Sequence, residues 1–475
     1  MRKQLSWIVL GMGILVPSMF YLGCGSHPPM TPNPSAPTDT ATPGSPTATF
    51  TFTNSPTITV TKTQTVTPTV TSTITVTSTP TATLSPTATL TATATSTPTI
   101  SLTPTVTLSP TLTPTVTLTS TITATPTVTV TTTVTGPSWQ VVGTAAFGPP
   151  AAYSSLLINN NIPYVVYEDT NSNKGIVQEY TGGAWITLGG AEFTSAGAYN
   201  FSAAFYNNNL YVAYADGVNN KVAVQEYTGG AWSLVGGEFG GVASSTSVGL
   251  DGNGNLYVAY GGQTDAESYL MEYSGGNWVT VGGSYCPGTT IFNSIGFDSS
   301  NNPYIGFGDG WTGGASLAEY TSSAWGFVGG EGGAGGTGTH VANFTSLVFN
   351  GGNPYLAYMT LASNYAGVLM KWNGSAWSEV GGQAFASSDA YYTSLAFSPA
   401  NSNPYVAYED TSVSAGAQAM VQEYNGSAWV TVGSPHFSAW STSYNSLAFD
   451  TSGDPYVAYS DGNSSSDKMT VMEYH

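Results

Sequence analysis

The phrase Pro-Tyr-Val-Ala-Tyr at residues 404–408 has near copies along the chain, and the set numbers seven: IPYVVY from Ile162, NLYVAY from Asn209 and Asn255, NPYIGF from Asn302, NPYLAY from Asn353, NPYVAY from Asn403 and DPYVAY from Asp454. Three further phrases keep step with it. Trp-x-x-Val-Gly and its variants place Trp139, Trp185, Trp232, Trp278, Trp325, Trp377 and Trp429 at gaps of 46, 47, 46, 47, 52 and 52 residues. Glu-Tyr ends at Tyr180, Tyr227, Tyr273, Tyr320, Tyr424 and Tyr474, with Lys371-Trp372 in the remaining slot. The fourth phrase is Ser-Leu-Ala-Phe, as in SSLLI, TSVGL, NSIGF, TSLVF, TSLAF, NSLAF and a looser FSAAF. Each run is rich in Val, Phe, Tyr or Trp and bounded by Gly, Asn, Asp or Pro, which is the pattern of short β-strands. Turns such as DGNGN and FNGGNP read as hairpins between the first and second strands.

Four strands repeated every 40–50 residues predict an all-β fold, a seven-bladed β-propeller of four-stranded blades. The chain stops at Met-Glu-Tyr-His, after a third strand, while the body begins with an unpaired fourth strand, Ser-Trp-Gln-Val-Val-Gly. The N-terminal strand is therefore expected to complete the last blade and close the ring, leaving no open sheet edge. Phe193, Phe239, Phe385 and Phe437 recur just after the Val-Gly phrase and read as packing residues.

The body spans residues 137–475. It resembles bacterial seven-bladed β-propellers: YVAY is similar to the strand phrase of YVTN-type repeats, in a kelch-like architecture. GNLYVAY together with a blade Trp resembles small lectin propellers, which implies carbohydrate binding. The resemblance is architectural and implies no activity. The Gly-His and Trp-Asp phrases of WD repeats are absent, as are the Ser-x-Asp-x-Gly-x-x-Trp box and the Arg triad of sialidases.

Two segments precede the body. Residues 1–23 carry basic Arg2 and Lys3, then an apolar stretch, then Gly23 before Cys24. This resembles the signal peptide of a bacterial surface lipoprotein, with Tyr21 in place of the usual Leu. The resemblance implies an exported protein, lipidated at Cys24 and anchored in a membrane, the outer one being favoured. Residues 24–136 are Thr, Pro, Ser, Val and Ala, with Asp39 and Lys62 among very few charges. Frequent Pro removes ladder donors, and little apolar surface is available to offset ordering. A disordered stalk is expected, extended at about 3.1 Å per residue where it is Pro-rich, and O-glycosylation suits its composition.

Charge narrows the partners. Formal net charge is −19. The body has four Lys, no Arg and 25 acids, so 4 − 25 leaves it near −21. Such a surface cannot neutralise phosphates, which excludes nucleic acid. A monomeric propeller is expected, with a glycan or another extracellular polymer as partner and the membrane reached through the lipid. Cys24 and Cys286 lie in very different segments, so no disulfide framework is expected and Cys286 reads as a lone buried thiol.

Catalytic constellations are sparse. His340, His436 and His475 are not at metal-ligand spacing, and no nucleophile elbow or phosphate loop occurs. Asp251 to Asn255 matches half of a calcium loop but reads as a hairpin. Asp169, Asp216, Asp309, Asp410 and Asp461 recur after the second strand. They cap turns, or else form a ring of carboxylates able to take sugar hydroxyls. No catalytic residue, metal site or cofactor is expected, Ca²⁺ being the one ion those carboxylates would hold. The unrepeated aromatics Trp311 and Trp440, with Tyr391, Tyr392, Tyr365 and His340, lie in links that emerge on the same face as those Asp, and that face is the expected ligand site. The resulting function is a surface-displayed binding module. A carboxylate-dependent glycan-cleaving propeller and a protein-docking module stand behind it.

Overall fold

The computed structural model describes the body from residue 136 to 475, except 196, 264–266, 287, 289, 310–311, 336–341, 361–364, 388, 413–415 and 463–466; before it, only four strands are described, Trp7–Leu10, Ile14–Pro17, Leu90–Thr107 and Thr115–Thr132. Leu90–Thr107 pairs antiparallel with Thr115–Thr132. This ribbon lies within the segment read as a stalk. Alternation of Thr with Val, Ile, Leu and Ala suits pairing at period two, although two strands alone are marginal in water. Cys24 lies outside the described residues.

The body is a β-propeller of four-stranded antiparallel sheets. Five blades stand as separate sheets, spanning residues 198–234, 243–286, 290–327, 342–379 and 390–431. The expected seven separate blades are thereby corrected. The first and last repeats share one eight-stranded sheet, because Phe147 and Pro150 bridge to Met469 and Lys468. Trp139–Val141 pairs with the C-terminal strand Lys468–Tyr474, in the register Tyr474↔Trp139. The first strand of the body thus pairs with its last.

The recurring phrases now have physical reasons. The second strands supply the layers between sheets: Val212, Ala213, Val258, Ala259, Val406, Ala407, Val457 and Ala458 are fully buried. Each of the seven repeat tryptophans donates its indole N–H to a carbonyl of the preceding repeat, from Trp139 to Val432 at 2.9 Å through Trp429 to Val380 at 3.2 Å. These rings are half-buried, and the Phe residues read as packing lie against them: Phe437 stacks on Trp139 at 4.1 Å and Phe193 on Trp232 at 4.4 Å. The glycine after Val is required by shape. Gly282 sits at φ +66, where a Cβ would also overlap the Tyr320 ring.

Around the axis, the Ser of Ser-Leu-Ala-Phe accepts an amide N–H from the next repeat. Ser202, Ser247, Ser294, Ser346, Ser394 and Ser446 do so at 2.9–3.1 Å. The Glu of Glu-Tyr accepts from the first Tyr of the second strand, as Glu226 does from Tyr211 at 2.8 Å. Where Lys371 replaces that Glu, its ammonium lies over the Tyr355 ring, 5.2 Å from the centroid. Cys286 is buried.

Candidate functional site

Six of the seven inner strands break register between their second and fifth residues, and Ala243–Leu250 does so one residue earlier, between Ala243 and Thr246. The strands concerned are Phe147–Asn159 (counted there from Ala151), Ala198–Tyr206, Ala243–Leu250, Thr290–Phe297, Ala342–Asn350, Ala390–Phe397 and Thr442–Phe449. The bulge turns one residue per repeat toward the axis. These residues are Tyr153, Asn200, Ser245, Phe292, Phe344, Tyr392 and Tyr444. Six adopt left-handed backbone, with φ between +51 and +56. For a non-glycine residue that costs on the order of 1–3 kcal/mol, and such strain gathers at functional sites. The neighbouring repeat holds the conformation in place: Thr246 Oγ1 donates to the Asn200 carbonyl at 2.5 Å, Ser154 Oγ to that of Tyr444 at 2.5 Å, and Thr345 and Thr393 to those of Phe292 and Phe344.

The seven positions line a cavity of about 280 Å³ on the axis, at the end of the inner strands where the links from the preceding repeat enter. Its wall is asymmetric. Phe292, Phe344, Tyr392, Tyr444 and Tyr153 form a continuous arc, with successive ring centroids 4.4, 4.6, 4.8 and 5.0 Å apart. Asn200 and Ser245 close the other side with amide and hydroxyl groups. Asn445, also in the lining, is 6% exposed, yet neither Nδ2 nor Oδ1 has a hydrogen-bond partner. A buried amide with both ends unpaired is costly unless something binds it.

Two glutamates stand beside this arc. Glu409 lies cross-strand from Tyr391 and accepts from Ser443, while its Oε2 has no partner. Burial pushes its carboxyl up to about 8. Burial, and then the Asp169 charge, push Glu168 up to about 7. The Tyr392 and Tyr444 phenols are raised by burial, and next by Glu409 for the first and by Tyr392 for the second. The cluster therefore holds protons at neutral pH.

The residues singled out in the sequence fall into four groups. Tyr392 is in the arc, and Tyr391 and Tyr365 adjoin it. Trp440 is 51% exposed in its link, the same link that carries His436, whose Nε2 lies 3.0 Å from Asp410 Oδ2. The Asp set is engaged locally. Asp169 accepts the Asn171 amide, Asp216 those of Val218 and Asn219, Asp309 the Thr312 hydroxyl, Asp410 the Ser412 amide, and Asp461 the Thr470 hydroxyl. Trp311 and His340 lie outside the described residues. Among the described residues, no group of three or more His, Cys, Asp or Glu is placed to hold a metal.

Tyr153, Asn200, Ser245, Phe292, Phe344, Tyr444 and Asn445 escaped the sequence reading. All but Asn445, which stands one before Ser446, share the slot two before the recurring Ser, which reads Tyr, Asn, Ser, Phe, Phe, Tyr, Tyr.

No protein-family model matches the chain. No curated protein matches it either. Solved structures do match. One is the SapL1 lectin in complex with alpha methyl fucoside, 17% identical over 61% of this chain and 97% of that one, with a TM-score of 0.43. Another is a PL25 ulvan lyase, 12% identical over 70% and 94%, TM-score 0.48. The Trypanosoma rangeli sialidase is 10% identical over 69% and 55%, TM-score 0.39. These proteins differ in activity: one is a lectin, one a lyase and one a sialidase.

Proposed function

We propose that the body is a glycan-binding module displayed outside the cell, with the axial cavity as its site. The single observation that carries this is Asn445, whose buried amide is unpaired beside an aromatic arc. A sugar ring has apolar C–H faces and a rim of hydroxyls that donate and accept. Its C–H face can cover the rings, and a turn of the Asn445 side chain toward the cavity would let its hydroxyls pair the amide. Asn445→Ala removes an unpaired polar group, so the melting temperature should hold or rise. Affinity for a glycan identified on an array should fall by about 10-fold or more, the usual size for a central contact. Unchanged affinity would remove the cavity from the assignment.

A second reading, glycan cleavage by carboxylates, is favoured by Glu168 and Glu409, both held near neutral pKa beside tyrosines. Incubating the captured glycan with the protein decides between the two. Binding alone leaves no new reducing or unsaturated ends, and their appearance would transfer the assignment to an enzyme.

Display rests on the basic start, the apolar stretch and Cys24. The proposal is a lipid on Cys24, with the Thr/Pro-rich segment as spacer and the outer membrane as the anchoring site. Mass spectrometry of the mature N-terminus should find a diacylglyceryl group on Cys24, and Cys24→Ser should release the protein from membranes. An uncleaved N-terminus with unmodified Cys24 overturns the anchor.

A further inference from the structure

We infer that the ligand is a neutral oligosaccharide chain, one unit of which occupies the cavity while the next lie on an aromatic track leading outward past Tyr391 to Tyr365. This rests on the glycan reading above and extends it from a ring to a chain. Phe344 belongs to the arc but also meets Tyr391 edge-on, with centroids 6.0 Å apart. Tyr391 in turn lies nearly parallel to Tyr365, at 5.9 Å and 23°. Tyr365 is 37% exposed. Rings therefore step from the axis to solvent without a gap.

The two tyrosines come from different links. Tyr391 is at the start of the inner strand Ala390–Phe397, and Tyr365 precedes the third strand Ala366–Trp372 of the repeat before it. The Ala390 amide donates to the Tyr365 carbonyl at 2.9 Å and fixes the junction. Tyr365 stands at φ +60, so its position is not a relaxed default. A sugar chain suits such a track, because each unit offers a C–H face to stack and hydroxyls to leave in water.

Charge selects the class. The lining contains no Lys, Arg or His among its described residues. Burial raises the Tyr391 phenol, with Asp389 among the acids acting on it, and Glu409, cross-strand from it, keeps its proton. A uronate or sulfate would enter an acidic, desolvated site with no cation to pair, which is unfavourable.

The test titrates the full chain calorimetrically with hexasaccharides of glucose, xylose, mannose and galactose, with their methyl glycosides, and with hexagalacturonate. For at least one sugar the hexasaccharide should bind 10-fold or more tightly than the methyl glycoside. Tyr365→Ala should erase that advantage and leave the methyl glycoside and the melting temperature unchanged, while Tyr365→Phe retains it. If Asn445→Ala weakens binding but Tyr365→Ala does not, the ligand is confined to the cavity and the track is refuted. Hexagalacturonate binding as tightly as the neutral chains refutes the charge argument. If no saccharide of the panel binds, the glycan reading itself falls, and the track with it.

Discussion

Deleting residues 137–143 from the full chain should lower the melting temperature of the body by about 10 °C or more, or abolish its cooperative transition. The strand Trp139–Val141 is three residues long, yet several kinds of interaction end there. Trp139 stacks on Phe437 and donates to Val432, and Val142 is buried in the layer between the last and first repeats. Ser138 N–H donates to His475 and Val142 N–H to Val471, at 3.0 and 2.9 Å. Burying an aromatic of this size removes about 150–250 Å² from water. At about 25 cal/mol per Å² that is roughly 4–6 kcal/mol for full burial, less for the half-buried Trp139. Backbone hydrogen bonds add about 1 kcal/mol each. Deletion also bares the edge of Lys468–Tyr474, a template for aggregation. Calorimetry checks it. A shift within 2 °C of the parent would show that the ring does not depend on this closure.

Glu409→Gln should stabilise the body at pH 8 by several degrees and change little at pH 4.5. Burial raises this carboxyl from 4.5 to about 8 in the folded chain. Between those values the folded state keeps a proton that the unfolded state has released. The unfolded state binds fewer protons there, so stability falls as pH rises through the window and levels off above pH 8. At 1.36 kcal/mol per unit the loss is on the order of a few kcal/mol. Gln carries no charge to desolvate and can keep the Ser443 contact, so it escapes this loss. Glu168 and Glu331, each raised to about 7, titrate in the same window, so the variant flattens the profile without levelling it. Thermal melts of parent and variant from pH 4.5 to 9 test the claim. Parallel profiles would mean that Glu409 ionises freely in the fold.

Much of the architecture was legible because its causes are local. Strands announce themselves by Val and Tyr between Asn, Gly and Pro. A repeated Trp-x-x-Val-Gly requires the same left-handed glycine and the same indole contact each time. The fourth-strand phrase at Trp139 was read as the partner of the last repeat, and it pairs with Lys468–Tyr474. Trp440 was visible too, as an aromatic without counterparts in other repeats, and Tyr365 through its place in a link on the same face.

The cavity was not legible, for a geometric reason. Its seven wall residues differ from repeat to repeat, so Tyr153 or Asn200 carries no recurring word. Their side chains become neighbours only because a bulge turns each one inward and the ring brings together strands some 50 residues apart or, for Tyr153 and Tyr444, at opposite ends of the body. The same holds for the recurring Asp. The pattern showed that these carboxylates share a face, but only the hydrogen bonds to Asn171, Val218 and Thr312 showed that they are engaged with their own turns. Sheet merging at Phe147 and Pro150, and an unpaired amide at Asn445, depend on distances between segments remote in the chain. Sequence by itself determined the strands, their repetition and the closing partner, because these follow from residues acting on near neighbours. Tertiary structure alone decided what the axis presents to a ligand, because that surface is assembled from one residue per repeat.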